Sequence, residues 1–274
     1  MQRDRVLNTG TVSFCGGRKG ETMIAMISPA MSMKLPGETD WKITRPQFLE
    51  DAESISKVLK KLTPWEFEEW MRLSPSLAEE AFVNARDFDI SNPGSPAVLT
   101  FSGLVYRYLH PEDFSEEERA YAQEHLRILS GLYGVLRPLD GVWPYRLEMA
   151  CRLPIDGKRL YAHWGRRIYE NLFQRGEPVV NLASEEYAKT VRPFLEPGDF
   201  FLDVQFLVWR GGKYRTVTAW AKMARGAMAR SILKNRWEDV GQLKDFEWEG
   251  FAFEEALSGE RKYCFCMDSE KNIF

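Results

Sequence analysis

Residues 200–237 read FFLDVQFLVWRGGKYRTVTAWAKMARGAMARSILKNRW, and the class of fold follows from this stretch. Phe200 to Trp209 is a near-continuous apolar run rich in β-branched and aromatic residues, the composition of a buried strand. Arg210-Gly211-Gly212-Lys213 then supplies a Gly-Gly hairpin turn, with Tyr214 to Trp220 predicted as the returning strand. A long helix is predicted from Ala221 to Trp237, so one short segment holds a buried strand, an antiparallel hairpin and a helix.

The same grammar recurs outward in both directions. Ile24 to Ser28 (IAMIS), Ala97 to Phe101 (AVLTF) and Val179 to Ala183 (VVNLA) are short apolar runs that predict buried strands, and Tyr263 to Met267 predicts a last one. Between them, Phe48, Leu49, Ala52, Ile55, Val58, Leu59 and Leu62 fall at helical spacing over Arg45 to Lys61. Thr63-Pro64 and Ser74-Pro75 each pair an N-cap residue with proline at the first helical position, which predicts two further helices, the second reaching about Phe88. Ser115 with Glu118 forms a capping box, and the helix it opens is predicted to run to Ser130 and stop at Gly131. Another helix is predicted from Glu185. Buried strands alternating with helices, plus one hairpin, predict a mixed α/β (α+β) domain: a single twisted mixed sheet with flanking helices. No repeat, low-complexity tract or Pro/Gly/Ser-rich linker divides the chain, so residues 23–274 are expected to form one domain.

Composition excludes several classes. The chain has 274 residues, 44% of them hydrophobic and 28% charged, as in ordinary globular proteins. No stretch approaches the roughly 20 apolar residues that span a bilayer, and Met1 to Thr22 lacks the apolar core of a secretory signal. Gly16 to Glu21 (GGRKGE) would be encoded by purine-rich codons just upstream of Met23, as a translated ribosome-binding site would be. Residues 1–22 are therefore expected to be a non-native or disordered extension, with Met23 or Met26 as the start. Cys15, Cys151, Cys264 and Cys266 match neither a disulfide framework nor a zinc motif, and are expected as free thiols of a cytoplasmic protein. With three histidines (His110, His125, His163) at no ligand spacing, no metal and no cofactor is called for.

Charge distribution is more informative than the net charge of −3. Val204 to Trp237 carries eight Lys/Arg and no acid, whereas Glu238 to Glu260 carries eight acids and one Lys. Such a basic block is either a polyanion footprint or a solvated face. On a helix advancing roughly 100° per residue, Lys222, Arg225 and Arg236 fall within an arc of about 60° at the margin of the buried face, which suits the lip of a cleft. Ala224, Gly226, Ala227 and Ala229 allow another backbone to approach closely. Trp209, Tyr214 and Trp220 are either core or stacking platforms for unpaired bases.

Ser28, Ser102 and Ser184 each stand at the carboxyl end of a predicted strand before a helix start. They are either plain N-caps or the rim of one phosphate-sized site. Arg137, Asp140, Tyr145, Arg146 and Glu148 crowd one Pro- and Gly-containing loop, as a buried ion-pair network or a site for a planar anion. Glu148 is a candidate general base if desolvated, but no nucleophile–base pair, phosphate loop or dinucleotide fingerprint is visible.

Leu126 to Met149 (LRILSGLYGVLRPLDGVWPYRLEM) resembles the signature segment of the YaaA peroxide-stress family. ISPA at Ile27, FSGLVY at Phe101, YAHWG at Tyr161, NLASEEYAKTV at Asn181 and WAKMARGAMARSILKNR at Trp220 follow in the family's order, covering the chain from about Met23 onward. The resemblance implies a cytosolic protein of the response to hydrogen peroxide that limits oxidative damage and is linked to lower free iron. It also implies a DNA-binding α/β domain with a positively charged cleft and a helix-hairpin-helix element, whose best local match here is Lys57 to Ala85. DNA, double-stranded or distorted, is then the expected partner, with no membrane and no obligate protein partner. Arg137, Arg146, Lys189, Lys222, Arg225, Arg230 and Arg236 are the candidate DNA or anion contacts. An enzyme acting on a nucleobase or nucleotide, with Glu148 and the three serines in its pocket, is the alternative. Two positions depart from the family pattern: Met31 stands where a Lys is usual, and Leu104 where an acid is usual.

Overall fold

Ile24–Ile27 is buried at every position, and as strand β1 it lies inside the main sheet of the computed structural model, which describes residues 22–268. Parallel neighbours flank it on both sides: β5 (Leu126–Ser130), with Ala25 opposite Leu126, and β8 (Val179–Asn181), with Ile24 opposite Val179. Beyond β8 come β9 (Phe201–Trp209) and β12 (Lys262–Asp268), both parallel to it. Short antiparallel strands close the edges, β6 (Gly134–Leu136) on β5 and β11 (Ala252–Phe253) on β12, and β10 (Tyr214–Arg215) returns antiparallel on β9. The sheet order is thus β11-β12-β9-β8-β1-β5-β6. The expected mixed α/β architecture holds, and buried side chains from Met23 to Met267 form one continuous cluster.

Two small ribbons complete the strands. β2 (Ser32–Met33) pairs with β4 (Phe101–Ser102), and β3 (Ser95–Pro96) pairs with β7 (Gly141–Val142). The helices are α1 (Leu49–Leu59), α2 (Pro64–Met71), α3 (Pro75–Asp87), α4 (Ala97–Thr100), α5 (Leu104–Leu109), α6 (Glu116–His125), α7 (Leu160–Trp164), α8 (Arg167–Phe173), α9 (Glu185–Ala188) and α10 (Thr218–Asn235). Local chemistry accounts for their starts. Thr63 with Glu66 and Ser115 with Glu118 both make reciprocal capping boxes, and Pro64 and Pro75 stand in the first turn of α2 and α3.

Three elements differ from the sequence expectation. The helix opened by Ser115 stops at His125, and Leu126–Ser130 becomes a strand between β1 and β6. The buried Arg127 guanidinium donates to the carbonyls of Gln123 and Leu126, satisfying acceptors that the end of α6 leaves open. Ala97–Thr100, predicted as a strand, is a buried helical turn in which the Thr100 hydroxyl donates to the Pro96 carbonyl. A four-residue apolar run has no periodicity to separate the two states. The hairpin returns for Tyr214–Arg215 alone, and α10 begins at Thr218, so Trp220 lies on the helix against Trp248 and Phe251.

The helix pair α2–α3 matches the helical part of the expected helix-hairpin-helix. Its connection is made by Arg72 in the left-handed region (φ 54°). Glu66, Glu68, Glu69, Glu79 and Glu80 make this pair acidic, the wrong sign for phosphate. Apart from Thr22, the expected N-terminal extension lies outside the described residues, as does Cys15.

Candidate functional site

β1 feeds a connection that leads to β5 on one side, while β8 feeds β9 on the other, so the strand order reverses between β1 and β8. The crevice outside the carboxyl ends of such a strand pair is where open α/β sheets place ligands. Ser28 follows β1, Ser184 follows β8, and both line a cavity of about 400 Å³ at this point. The Ser28 hydroxyl donates to Ser184 Oγ at 3.2 Å and accepts the Ser184 backbone N–H at 2.8 Å. Ser184 makes no side-chain cap to α9, so its hydroxyl is spent on this strand-end link rather than on the helix. Ser102 reaches the same cavity by another route, from the β2–β4 ribbon.

Helix α10 supplies the cations. Gly226 lets it lie against α5, since a Cβ there would meet the Val105 carbonyl oxygen at 2.1 Å. That close approach brings Lys222 and Arg225 into the cavity wall. Arg225 is half-buried, its buried Nε has no hydrogen-bond partner among the described residues, and desolvation pulls its pKa down with no described carboxylate pairing with it. A cation in such surroundings is costly unless an anion joins it. Arg146 enters from the loop after β7. Its Nη1 donates to the Met31 carbonyl at 3.3 Å, its Nη2 reaches the Met31 sulfur at 3.2 Å, and Glu148 lies 3.6 Å away.

The remaining candidates go elsewhere. Arg230 and Arg236 belong to an ion-pair seam between α10 and the segment before and within α6. Arg230 pairs with Asp113, Lys234 with Asp113 and Glu118, and Arg236 with Glu117. Arg236 adopts a left-handed conformation just past the helix (φ 51°), so the helical arc that grouped it with Lys222 and Arg225 does not extend to it. Arg137 is also away from the cavity. It pairs at 3.1 Å with the buried Asp140, which accepts from Thr44 Oγ1 at 2.6 Å, and this network ties the loop to the segment before α1. Lys189 is exposed beyond α9, outside the cavity lining, though its charge acts on Glu186. Of the aromatics, Trp209 and Tyr214 pack edge-to-face across the hairpin.

Sequence reasoning missed Glu186. It projects from the first turn of α9 into the cavity, and its Oε1 accepts the Ala150 backbone N–H at 2.9 Å. Burial raises its pKa, and the nearby charge of Glu148 adds to this against the opposing hydrogen bond from Ala150. The available signal was its place just after a strand-end serine. Tyr106, Tyr145 and Tyr187 also line the cavity, their pKa values raised by burial, and the Tyr106 hydroxyl donates to the Ser28 carbonyl at 3.0 Å. A second cavity of about 480 Å³, with Trp70, Arg72 and Arg152 in its wall, shares Arg146 and Glu148 with the first.

Fold and site together define an α/β protein with a cation-bearing cavity at the switch point of its sheet. The family profile described as peroxide stress protein YaaA matches residues 23–257, and the chain belongs to that family. Among its relatives, a UPF0246 protein of Lactiplantibacillus plantarum is 38% identical over 244 residues, 89% of this chain and 98% of that protein. Another, from Clostridioides difficile, is 35% identical over 247 residues, 90% of this chain and 100% of its own length. A third, from Burkholderia lata, is 41% identical over 256 residues, 89% and 98% of the two chains.

Proposed function

We propose that this protein serves the peroxide stress response by binding DNA at the strand-end cleft, with one unstacked nucleotide in the 400 Å³ cavity. The observation that carries this reading is Arg225, a half-buried guanidinium in the cavity wall whose buried Nε has no partner, and which pairs with no carboxylate, among the described residues; Lys222 lines the same wall. Backbone phosphate would supply the missing anion, and Arg146 would add a second guanidinium. Ser102 offers a hydroxyl at the same rim, beside the linked hydroxyls of Ser28 and Ser184. On this reading the protein works in the cytoplasm, shields DNA from oxidative damage, and lowers free iron only indirectly. No helix of the described residues is long and apolar enough to cross a membrane.

Fluorescence anisotropy with duplex, single-stranded and bubble DNA over a salt series tests the proposal. Binding should favour the bubble or single strand and should weaken steeply with salt, by roughly one logarithmic unit of slope per phosphate neutralised. Lys222→Glu combined with Arg225→Glu should abolish it, and unchanged affinity in that double variant would refute the cleft. A second reading, turnover of a nucleotide or nucleobase in the same cavity, is favoured by Glu186, a half-buried carboxyl with raised pKa suited to general acid–base work beside Glu148. A product seen by mass spectrometry with the wild type and lost in Glu186→Gln would establish it.

A further inference from the structure

We propose that Met31 is a site of modification by hydrogen peroxide, with Arg146 as the positioning residue that sets the stereochemistry of the product. Met31 is 53% exposed at the cavity mouth and is the one exposed methionine among the described residues. Met23, Met26, Met149 and Met228 have no exposure. Met33, two residues on, is buried in β2, where its sulfur accepts the Tyr145 backbone N–H. Met71 and Met223 are half-buried, so among the described methionines Met31 is the most open to peroxide.

The sulfur is also oriented. Arg146 Nη2 lies 3.2 Å from Met31 Sδ while Nη1 of the same guanidinium binds the Met31 carbonyl at 3.3 Å, so backbone and side chain are gripped by one planar fork. Arg146 is itself held, with an 18% exposed side chain and its Nε buried. The contact from Arg146 engages one of the two sulfur lone pairs and leaves the other to react. The pair not engaged by Arg146 attacks the nearer oxygen of hydrogen peroxide. The S–O bond forms as the O–O bond breaks, and the departing hydroxide takes the proton of the transferred oxygen and leaves as water. Sulfur loses two electrons and peroxide gains them, giving methionine sulfoxide. Because the two lone pairs are inequivalent, one sulfoxide epimer predominates. Rotation about Cγ–Sδ then turns the new oxygen, a stronger acceptor than the thioether, onto Arg146 and draws that guanidinium from Glu148.

Limiting hydrogen peroxide followed by peptide mass spectrometry tests this on the full chain. Met31 sulfoxide should form at least about tenfold faster than Met33 sulfoxide, and one of the two epimer-specific methionine sulfoxide reductases should repair most of it. The chain oxidised in urea should give a near-even epimer mixture, as should folded Arg146→Gln. The Arg146 Nε–H NMR resonance should move on oxidation and return after repair. An even mixture in the folded wild type, the same excess in urea or in Arg146→Gln, or Met33 oxidised in step with Met31 would overturn the proposal. A stationary Arg146 resonance would overturn the coupling to Glu148.

Discussion

Arg225 shows how one side chain can weaken the fold while serving the site. Its guanidinium is half-buried, with a buried Nε that has no partner and no carboxylate pairing among the described residues, so the native state bears a cost that an apolar side chain of similar length would not. Arg225→Met should therefore raise stability, on the order of 1 kcal/mol or about 2–4 °C in Tm. The same change should abolish DNA binding. Calorimetry with anisotropy on one preparation checks both, and a fall in Tm would mean that the guanidinium has a structural partner. Reading charges along the chain picked out Arg225 and Lys222 together with Arg230 and Arg236. Only the packing of Asp113 and Glu117 against α10 separates the paired cations from the cavity-facing ones.

Helix α10 is the element on which the site depends, because it carries two of the three cavity cations, Lys222 and Arg225, and is pinned at two places. Gly226 sets its distance from α5, and the Asp113 and Glu118 seam fixes its last turns. Gly226→Ala forces a Cβ to within 2.1 Å of the Val105 carbonyl, a backbone atom with little freedom to move. It should cost about 1–3 kcal/mol, despite alanine's better helix propensity, and should weaken DNA binding by displacing Arg225. Ser115→Ala removes the cap of α6 and should cost about 1 kcal/mol without touching the cleft. Urea denaturation of both variants beside their DNA affinities separates the two effects. Helix starts were legible because capping boxes and proline positions are local chemistry. The end of α6 was not, because Leu126–Ser130 becomes a strand only when β1 and β6 offer it partners.

For the whole molecule, stability against pH combines two opposing sets of carboxyls. Asp113 is held well below the usual carboxylate range, first by its hydrogen bond from Arg230, and Glu118 is lowered by its hydrogen bond from Lys234. Such groups stabilise the fold above their ordinary pKa of about 4 and lose that contribution as pH falls. Both lie partly in solvent, so salt should weaken the effect. Glu186 has the opposite sign: its raised pKa favours the fold at low pH, and that contribution is lost as pH rises through the raised value. In Tm measured against pH, Asp113→Asn should therefore flatten the fall below about pH 4, whereas Glu186→Gln should raise Tm at neutral pH and leave it unchanged in acid. The sequence by itself determined the mixed α/β class, the β1, β8, β9 and β12 strands inside the sheet, the capped helix starts and the family, since hydrophobic period, turn chemistry and ordered motif blocks are written in neighbouring residues. Only the tertiary structure decided that β5 is a strand, that Arg137, Arg230 and Arg236 are held in ion pairs, and that Ser28, Ser184, Arg146, Glu186 and Arg225 share one cavity. Those outcomes depend on contacts between residues far apart in the chain, where burial and the nearest opposite charge override local preference.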